Sequence, residues 1–497
     1  MYNVVLGPPG TGKTTYLLNK VEDFFEKGTQ PEKLGYLAFT KKAANEALAR
    51  AMGKFSYTSQ ELCYFRTLHS LCYHWLGFTK NDVLARSNLR EFSRTIGERI
   101  NSAWDGENIM TLSSKGDRML FLENMARNQS MGYKEIWNNA NDLDITWMHF
   151  NWFCKNYSKY KSQNFLIDFT DMLEMFINHD TKPNLDVLII DEAQDLSALQ
   201  WKCVEKLAEG VKHVYIAGDD DQAIYKWAGA DVNHFINLKG NNIYLKQSYR
   251  VPRKVHDVAL RIVKRIGNRK EKVWEPREEE GQINIHMDFE HIDVSEGEWL
   301  FLARNNYLLN QVEDYLKKSG RFYQRAGKSP VSDTLINAIK DWERLRKGQK
   351  IEADNIRKIY SYMRAGKGVK KGYKTLKSLL GDTVLSMGDL KRDYGLLVDG
   401  IWHESFDLIG ITQREYLISC LRRKENLNTS RIKLSTIHAS KGGECDNVVL
   451  LSDMATKSYD ELYRNPDNEC RNFYVGVTRT KENLHIVRSK TRKQFIF

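Results

Sequence analysis

Eight short apolar runs punctuate the chain: YNVVLG (2–7), LGYLAFT (34–40), LDVLIIDE (185–192), HVYIAGD (213–219), WLFLAR (299–304), IKLSTIHA (432–439), NVVLLSD (447–453) and LHIVRS (484–489). Each leads into a polar turn or a helical stretch, and most are continuous rather than alternating. Strands that are apolar on both faces belong in a parallel sheet covered by helices on both sides. The runs fall into two sets, before and after about residue 245, so the pattern predicts two α/β domains. A long segment of different character interrupts each set. Residues 78–159 are rich in Trp, Asn and charge with helical spacing, as in RMLFLENMAR (118–127), and residues 326–429 are basic. The expected organisation is a first α/β domain over 1–77 and 160–245 and a second over 246–325 and 430–497. Each carries an inserted, mostly helical subdomain, at 78–159 and 326–429. No short-period repeat or low-complexity tract interrupts this plan.

Composition narrows the class without naming a function. The 497 residues are 41% apolar and 28% charged, enough for several substantial cores. No run approaches the ~18 apolar residues of a membrane span, and the first residues enter a strand with no signal-peptide pattern. Seven scattered cysteines (63, 72, 154, 203, 420, 445 and 470) include no CxxC pair. They predict reduced thiols in a cytoplasmic protein and argue against zinc or an iron–sulfur cluster. The net charge of +11 favours a polyanionic partner, and its placement is uneven: Ser319–Arg431 holds 23 Lys/Arg against 13 Asp/Glu. Within it, RAGKGVKKGYKTLK (364–377) has six basic residues and no acidic one. Such a run is either a solvated loop or a surface that tracks phosphates by releasing their counterions.

The chemistry is carried by two motifs. GPPGTGKTT (7–15) fits G-x-x-x-x-G-K-[ST] between a predicted strand and a predicted helix. Gly7, Gly10 and Gly12, with Pro8, Pro9 and Thr11 between them, allow backbone N–H groups to wrap phosphates at a helix N-terminus. Lys13 is expected to reach the β- and γ-phosphates and Thr14 to ligate Mg²⁺, with Thr15 closing the motif. VLIIDEAQD (187–195) ends a strand in two carboxylates. Phosphoryl transfer needs Asp191 on the metal and Glu192 as base on the attacking water. Hydrolysis of a nucleoside triphosphate is the expected reaction.

From DEAQD onward through VYIAGDDDQAIYKWAGAD (214–231), the sequence resembles the UvrD/Rep/PcrA-type superfamily-one DNA helicases. The resemblance continues in order through YLAFTKKAANEALAR (36–50), FRTLHSLCYHWL (65–76), LKQSYRVP (245–252), FLARNN (301–306), IKLSTIHASKGGECDNVVLL (432–451) and CRNFYVGVTRTKENLHIV (470–487). It covers roughly three-quarters of the chain, and the insertions match in position only. It implies two RecA-like motor domains using ATP and Mg²⁺. Gln222 then corresponds to the γ-phosphate sensor coupled to DNA, Arg250 and Arg479 to the two arginines reaching the γ-phosphate from the second domain, and Glu444 to the ribose contact. Phe39, Thr40, Thr67, His69, Tyr225, Trp227, Thr436 and His438 match positions along the single-strand groove, where hydroxyls and imidazoles bond phosphates and Trp227 stacks bases. The GDDDQ-IY-W form belongs to the branch that moves 3′ to 5′.

The implied function is an ATP-dependent 3′-to-5′ helicase acting as a monomer on single-stranded DNA and single/double-strand junctions, in repair, replication or recombination. A translocase that displaces proteins, or the motor of a complex whose partner docks on the second insertion, uses the same ATPase site. A non-hydrolysing module would require a damaged Lys13, Glu192 or Arg479, and all three are intact. Backbone contacts and stacking serve RNA equally well. Four departures qualify the resemblance. The six residues before the phosphate loop leave no room for the family's adenine-reading Gln segment, which loosens the expected preference for ATP. Ala228 stands where Arg often follows the tryptophan, and Gly443 and Cys445 replace bulkier neighbours of Glu444. A short second insertion and a short C-terminus imply a phage or mobile-element version, working in the cytoplasm of a bacterial cell or phage-infected host.

Overall fold

The computed structural model describes residues 1–101, 112–140, 142, 144–376 and 379–497. Part of the first insertion (102–111, 141 and 143) and Lys377 of the basic run lie outside the described residues. The chain forms two compact units. One holds Met1–Glu280, Asp460–Thr478 and Phe497, and the other holds Gly281–Tyr459 and Arg479–Ile496.

The first unit is built on six parallel strands: β1 (Tyr2–Leu6), β2 (Leu34–Ala38), β3 (Phe65–Thr67), β4 (Val187–Asp191), β5 (His213–Gly218) and β6 (Gly240–Tyr244), in spatial order β3-β2-β4-β5-β1-β6. Alternation along each strand sends side chains into two separate cores. Val4, Leu37, Leu188, Ile190 and Ile216 pack on one face, and Val5, Tyr36, Val187, Ile189 and Ala217 on the other. This two-sided burial explains why the central strands read as unbroken apolar runs. Helix Lys13–Glu26 covers the second face with Leu17, Leu18, Val21 and Phe24, spaced to share one helical side. The first insertion contains helices Arg86–Ile96, Lys115–Asn128, Tyr133–Ala140 and Trp147–Gln163 around a core of its own, including Phe92, Met119, Phe150, Phe153 and Tyr157.

The second unit repeats the plan with β7 (Gln282–His286), β8 (Trp299–Ala303), β9 (Tyr323–Arg325), β12 (Ile432–Thr436), β13 (Cys445–Leu451) and β14 (Thr480–Val487). They are all parallel in the order β7-β14-β13-β8-β12-β9. Its insertion holds helices Asp333–Arg346, Ala353–Ser361, Met387–Asp393 and Ile411–Arg422. A two-stranded ribbon, β10 (Ile351–Glu352) with β11 (Val384–Leu385), lies among them. Unlike the first, this insertion shares one core with its sheet: Trp342, Ile356, Tyr360 and Leu417 pack in the same cluster as Phe301, Leu434 and Val449.

Residues 246–280 and 460–478, assigned above to the second domain, pack within the first unit. Helices Arg253–Val263 and Pro466–Val477 lie against each other there. All seven cysteines are free thiols. Among the described residues, no helix is long and apolar enough to cross a membrane.

Candidate nucleotide site and strand-end aromatics

Because all six strands of the first sheet run the same way, their C-terminal ends lie along one edge, the usual position for ligand sites in α/β folds. The phosphate loop leaves β1 there. Gly7 N donates to Gly218 O at the end of β5 (3.1 Å), and Thr11 closes the loop onto Pro8 O through both its N–H (3.3 Å) and its hydroxyl (2.8 Å). Gly10 and Gly12 have φ of 74° and 75°, a conformation that side chains disfavour. Gly7 has no room for one, since a Cβ would fall 2.3 Å from Lys13 Cγ. Lys13 begins the helix, and its Nζ donates to Gly7 O at 2.7 Å. Pro8, Pro9 and Thr11 are buried, whereas Thr15 is exposed.

The loop is braced from the segment that follows β6. Ser248 Oγ donates to Pro9 O (2.8 Å) and Tyr249 N to Gly10 O (2.8 Å), so Arg250 is carried directly beside the loop. A Cβ on Gly10 would come within 2.5 Å of the Arg250 Cβ. Arg250 therefore belongs to the same compact unit as Lys13.

Asp191 ends β4. It accepts from Thr14 Oγ1 (3.3 Å) and from Tyr36 OH on neighbouring β2 (3.0 Å), and its other oxygen accepts from Glu192 N (2.9 Å). Burial, then the adjacent Glu192 carboxylate, pushes Asp191 up to about 6, against the pull of the Lys13 ammonium. An incoming cation would draw it down again. The Thr14 hydroxyl and the Asp191 carboxylate are hard oxygen donors of the kind Mg²⁺ takes, and that ion needs only one or two protein ligands beside waters and phosphates. Glu192 adopts φ 55°, a left-handed conformation that a non-glycine residue holds only when its surroundings impose it. Its carboxylate accepts from Gln194 Nε2 at 2.6 Å, and Gln194 Oε1 in turn accepts from Asp219 N at 3.0 Å. Gly218 makes this bridge possible, since a Cβ there would collide with Gln194 Oε1 at 2.4 Å. Gln222, five residues before Trp227, donates from Nε2 to Asp219 Oδ2 at 2.8 Å.

The same edge carries aromatic groups. Ala38 pairs with Asp191 in the sheet, and the next residue, Phe39, faces Tyr225 with ring centroids 5.3 Å apart. Tyr225 lies 6.2 Å from Trp227. All three rings are partly exposed rather than buried in the core. Thr40 and Thr67 cap the helices that follow β2 and β3, accepting from Ala43 N and Ser70 N at 3.2 Å each. His69, edge-on to Phe169 at 5.9 Å, is driven down to about 4 by burial and then by Lys41, so it is neutral at physiological pH.

In the second unit, Thr436 ends β12 and accepts from Ala439 N (3.2 Å), and His438 is buried in the turn that follows. Glu444 and Arg479 are neighbours at the starts of β13 and β14. Arg479 Nη1 donates to Gly443 O (3.1 Å) and Cys445 N to Arg479 O (3.0 Å), with Glu444 exposed. Tyr36, Gln194, Ser248 and Lys272 join these bonded groups without any signal in the sequence that marks them out. Tyr36, Gln194 and Ser248 lie inside quoted motifs, and only their bonding distinguishes them. Lys272 lies outside every motif.

Two six-stranded parallel sheets with flanking helices, one carrying a phosphate loop at its C-terminal edge, define a pair of RecA-like α/β domains. Residues 1–242 match the UvrD/REP helicase N-terminal domain and residues 303–491 the UvrD-like helicase C-terminal domain, which together take in most of the chain. The chain belongs to the UvrD/REP helicase family. Among its relatives, the ATP-dependent DNA helicase PcrA of Staphylococcus epidermidis is 25% identical over 288 residues, and that of Staphylococcus aureus 26% over 294. Each match takes in 54% of this chain and 39% of the relative, so the chain spans about two fifths of the length of those proteins.

Proposed function

We propose that the chain is an ATP-driven DNA motor, a helicase that hydrolyses ATP, moves 3′ to 5′ along single-stranded DNA and separates the duplex at a junction. The observation that carries this reading is the shared strand edge. A phosphate loop with its acidic pair, and a row of partly exposed rings from Phe39 to Trp227, emerge from the same six strand ends. Family membership supports it, and so do the names of the staphylococcal relatives.

In this mechanism the loop N–H groups and Lys13 hold the triphosphate. Glu192, kept in place by Gln194, accepts the proton of the attacking water. Mg²⁺ on Thr14 and Asp191 would supply neutralisation of charge on the phosphate oxygens. Arg250 and Arg479 neutralise the charge that develops on the γ-phosphate, Glu444 contacts the ribose, and Gln222 reports the γ-phosphate to the DNA path. Phe39, Tyr225 and Trp227 stack bases without sequence preference, and Thr40, Thr67, His69, Thr436 and His438 contact the backbone. The boundaries 1–77/160–245 and 246–325/430–497, with insertions at 78–159 and 326–429, are proposed as the working divisions of the motor, with 246–280 and 460–478 packed in the first compact unit.

The test is unwinding of a short duplex bearing either a 3′ or a 5′ single-stranded tail, with ATP and Mg²⁺, beside ATPase rates on bare single strand. Opening of the 3′-tailed substrate alone is the expected result. Opening from the 5′ tail alone would overturn the polarity. DNA-stimulated hydrolysis with no strand separation would replace the helicase by a translocase.

A further inference from the structure

Three consecutive aspartates follow β5, and Asp219, Asp220 and Asp221 are all buried. Adjacent carboxylates out of water repel one another, and they stay ionised there only if cations are buried with them. The central cation is Lys272, whose side chain is 1% exposed. Its Nζ lies 3.3 Å from Asp219 Oδ1 and 2.9 Å from Asp221 Oδ2, and it bonds Asp220 Oδ1. Arg269 grips Asp221 through two N–H···O bonds of 2.8 and 2.6 Å. Arg471 Nε donates to Asp220 O and Lys270 N to Asp220 Oδ2, each at 2.8 Å. Burial alone would push the Lys272 ammonium down, but the three aspartates hold it above its ordinary value.

The consequence runs through Asp219. One of its oxygens faces Lys272, and the other accepts from Gln222 Nε2 at 2.8 Å. The Gln222 amide is therefore oriented by a carboxylate whose other oxygen is held by the Asp221 N–H (3.3 Å) and by a lysine 53 residues further along the chain (3.3 Å). A purely stabilising cluster gains little from buried charge, because apolar residues of similar volume usually serve stability as well or better. Orientation of one amide is what a buried cation on Asp219 adds.

We propose that Lys272 is a positioning residue: by anchoring Asp219 it sets the direction of Gln222 and so couples DNA binding to ATP hydrolysis. The proposal rests on the reading of Gln222 as the γ-phosphate sensor. The experiment compares the full chain with its Lys272→Met, Lys272→Arg and Lys272→Met/Asp220→Asn variants. The double variant removes one buried charge of each sign, so it carries the test if Lys272→Met does not fold. For each, the KM for ATP is measured together with the ratio of ATPase rates with and without oligo-dT, a ratio that does not depend on the folded fraction.

The expected result is a loss of about tenfold in that ratio for Lys272→Met and the double variant, within the usual range of couplings between sites. KM should stay within about twofold, and Lys272→Arg, which keeps the cation, should retain most of the stimulation. An unchanged ratio in the folded Met or double variant, with stimulated wild type, would overturn this proposal alone. A rise in KM that accounts for the whole loss would overturn it too, by placing Lys272 in nucleotide binding. A wild-type chain that oligo-dT does not stimulate would overturn the motor reading and this proposal together.

Discussion

Two of the charge clusters in the first unit differ in what they are bonded to. At the strand edge, Lys13 bonds the carbonyl of its own loop, Asp191 gathers two hydroxyls, and the Glu192 carboxylate is partly exposed beside them. At the root of the first insertion, Arg127 bonds Glu123, Asp168, Asp171 and Glu174, and Lys161 bonds Asp168 and Asp171. Asp168 also caps helix Phe169–Asn178, so this second cluster ties the insertion helices Lys115–Asn128 and Trp147–Gln163 to the sheet domain. Burial works against the charge of both Arg127 and Asp168, yet Asp168 and its neighbours hold the guanidinium up, and Lys161 and Arg127 hold the Asp168 carboxyl down. Buried charge thus serves two ends within one unit: where two cations gather four carboxylates it fixes a joint, and where charges line the strand edge they form the site proposed above for phosphate.

Mutations should separate the two ends. Glu192→Gln removes the proposed base while keeping its shape and a hydrogen-bonding partner for Gln194. Turnover should fall by about 10²- to 10⁴-fold, the usual share of general base catalysis, with nucleotide binding and melting temperature nearly unchanged. Hydrolysis near the wild-type rate, measured by phosphate release, would remove Glu192 from the chemistry. Arg127→Met should do the reverse. Leaving its carboxylates without their guanidinium should cost about 3 to 5 kcal/mol of stability in a urea titration, with ATPase per folded molecule within about twofold of wild type. A specific loss of turnover in folded Arg127→Met would merge the two clusters into one functional site.

The eight apolar runs visible in the sequence correspond to β1, β2, β4, β5, β8, β12, β13 and β14, which are the interior strands of the two sheets. The four outermost strands, β3, β6, β7 and β9, left no such run. An edge strand has a neighbour on one side only and need not be apolar on both faces; Gly240–Tyr244 is largely exposed. The motifs GPPGTGKTT and VLIIDEAQD stand out for a different reason, because each gathers its particular residues within nine positions. Lys272 does not. Its aspartate partners lie 51 to 53 residues away in the chain, and a lone lysine in NRKEKVW looks like any solvated charge until the fold buries it. The joint around Arg127 escaped for the same reason.

The smallest expected effect lies at the aromatic end of the strand edge, where the comparison turns from charge to stacking. Trp227 sits in a short turn after Gln222, partly exposed and 6.2 Å from Tyr225, whereas Trp201 on the same unit is fully buried and stacked on His234. A core tryptophan lost to alanine leaves a cavity and destabilises the fold; a partly exposed one at a turn loses little packing. Trp227→Ala should therefore leave the melting temperature and the unstimulated ATPase close to wild type. Affinity for oligo-dT should weaken by about 1 to 3 kcal/mol, the worth of one stacked base. The check is a fluorescence titration of labelled oligo-dT, run beside the oligo-dT dependence of ATPase. A right-shift of both curves by the same factor places Trp227 on the track. If the curves coincide with wild type while the melting temperature falls, the ring belongs with Trp201 as packing, and the strand edge keeps its phosphate chemistry but loses this part of its base platform.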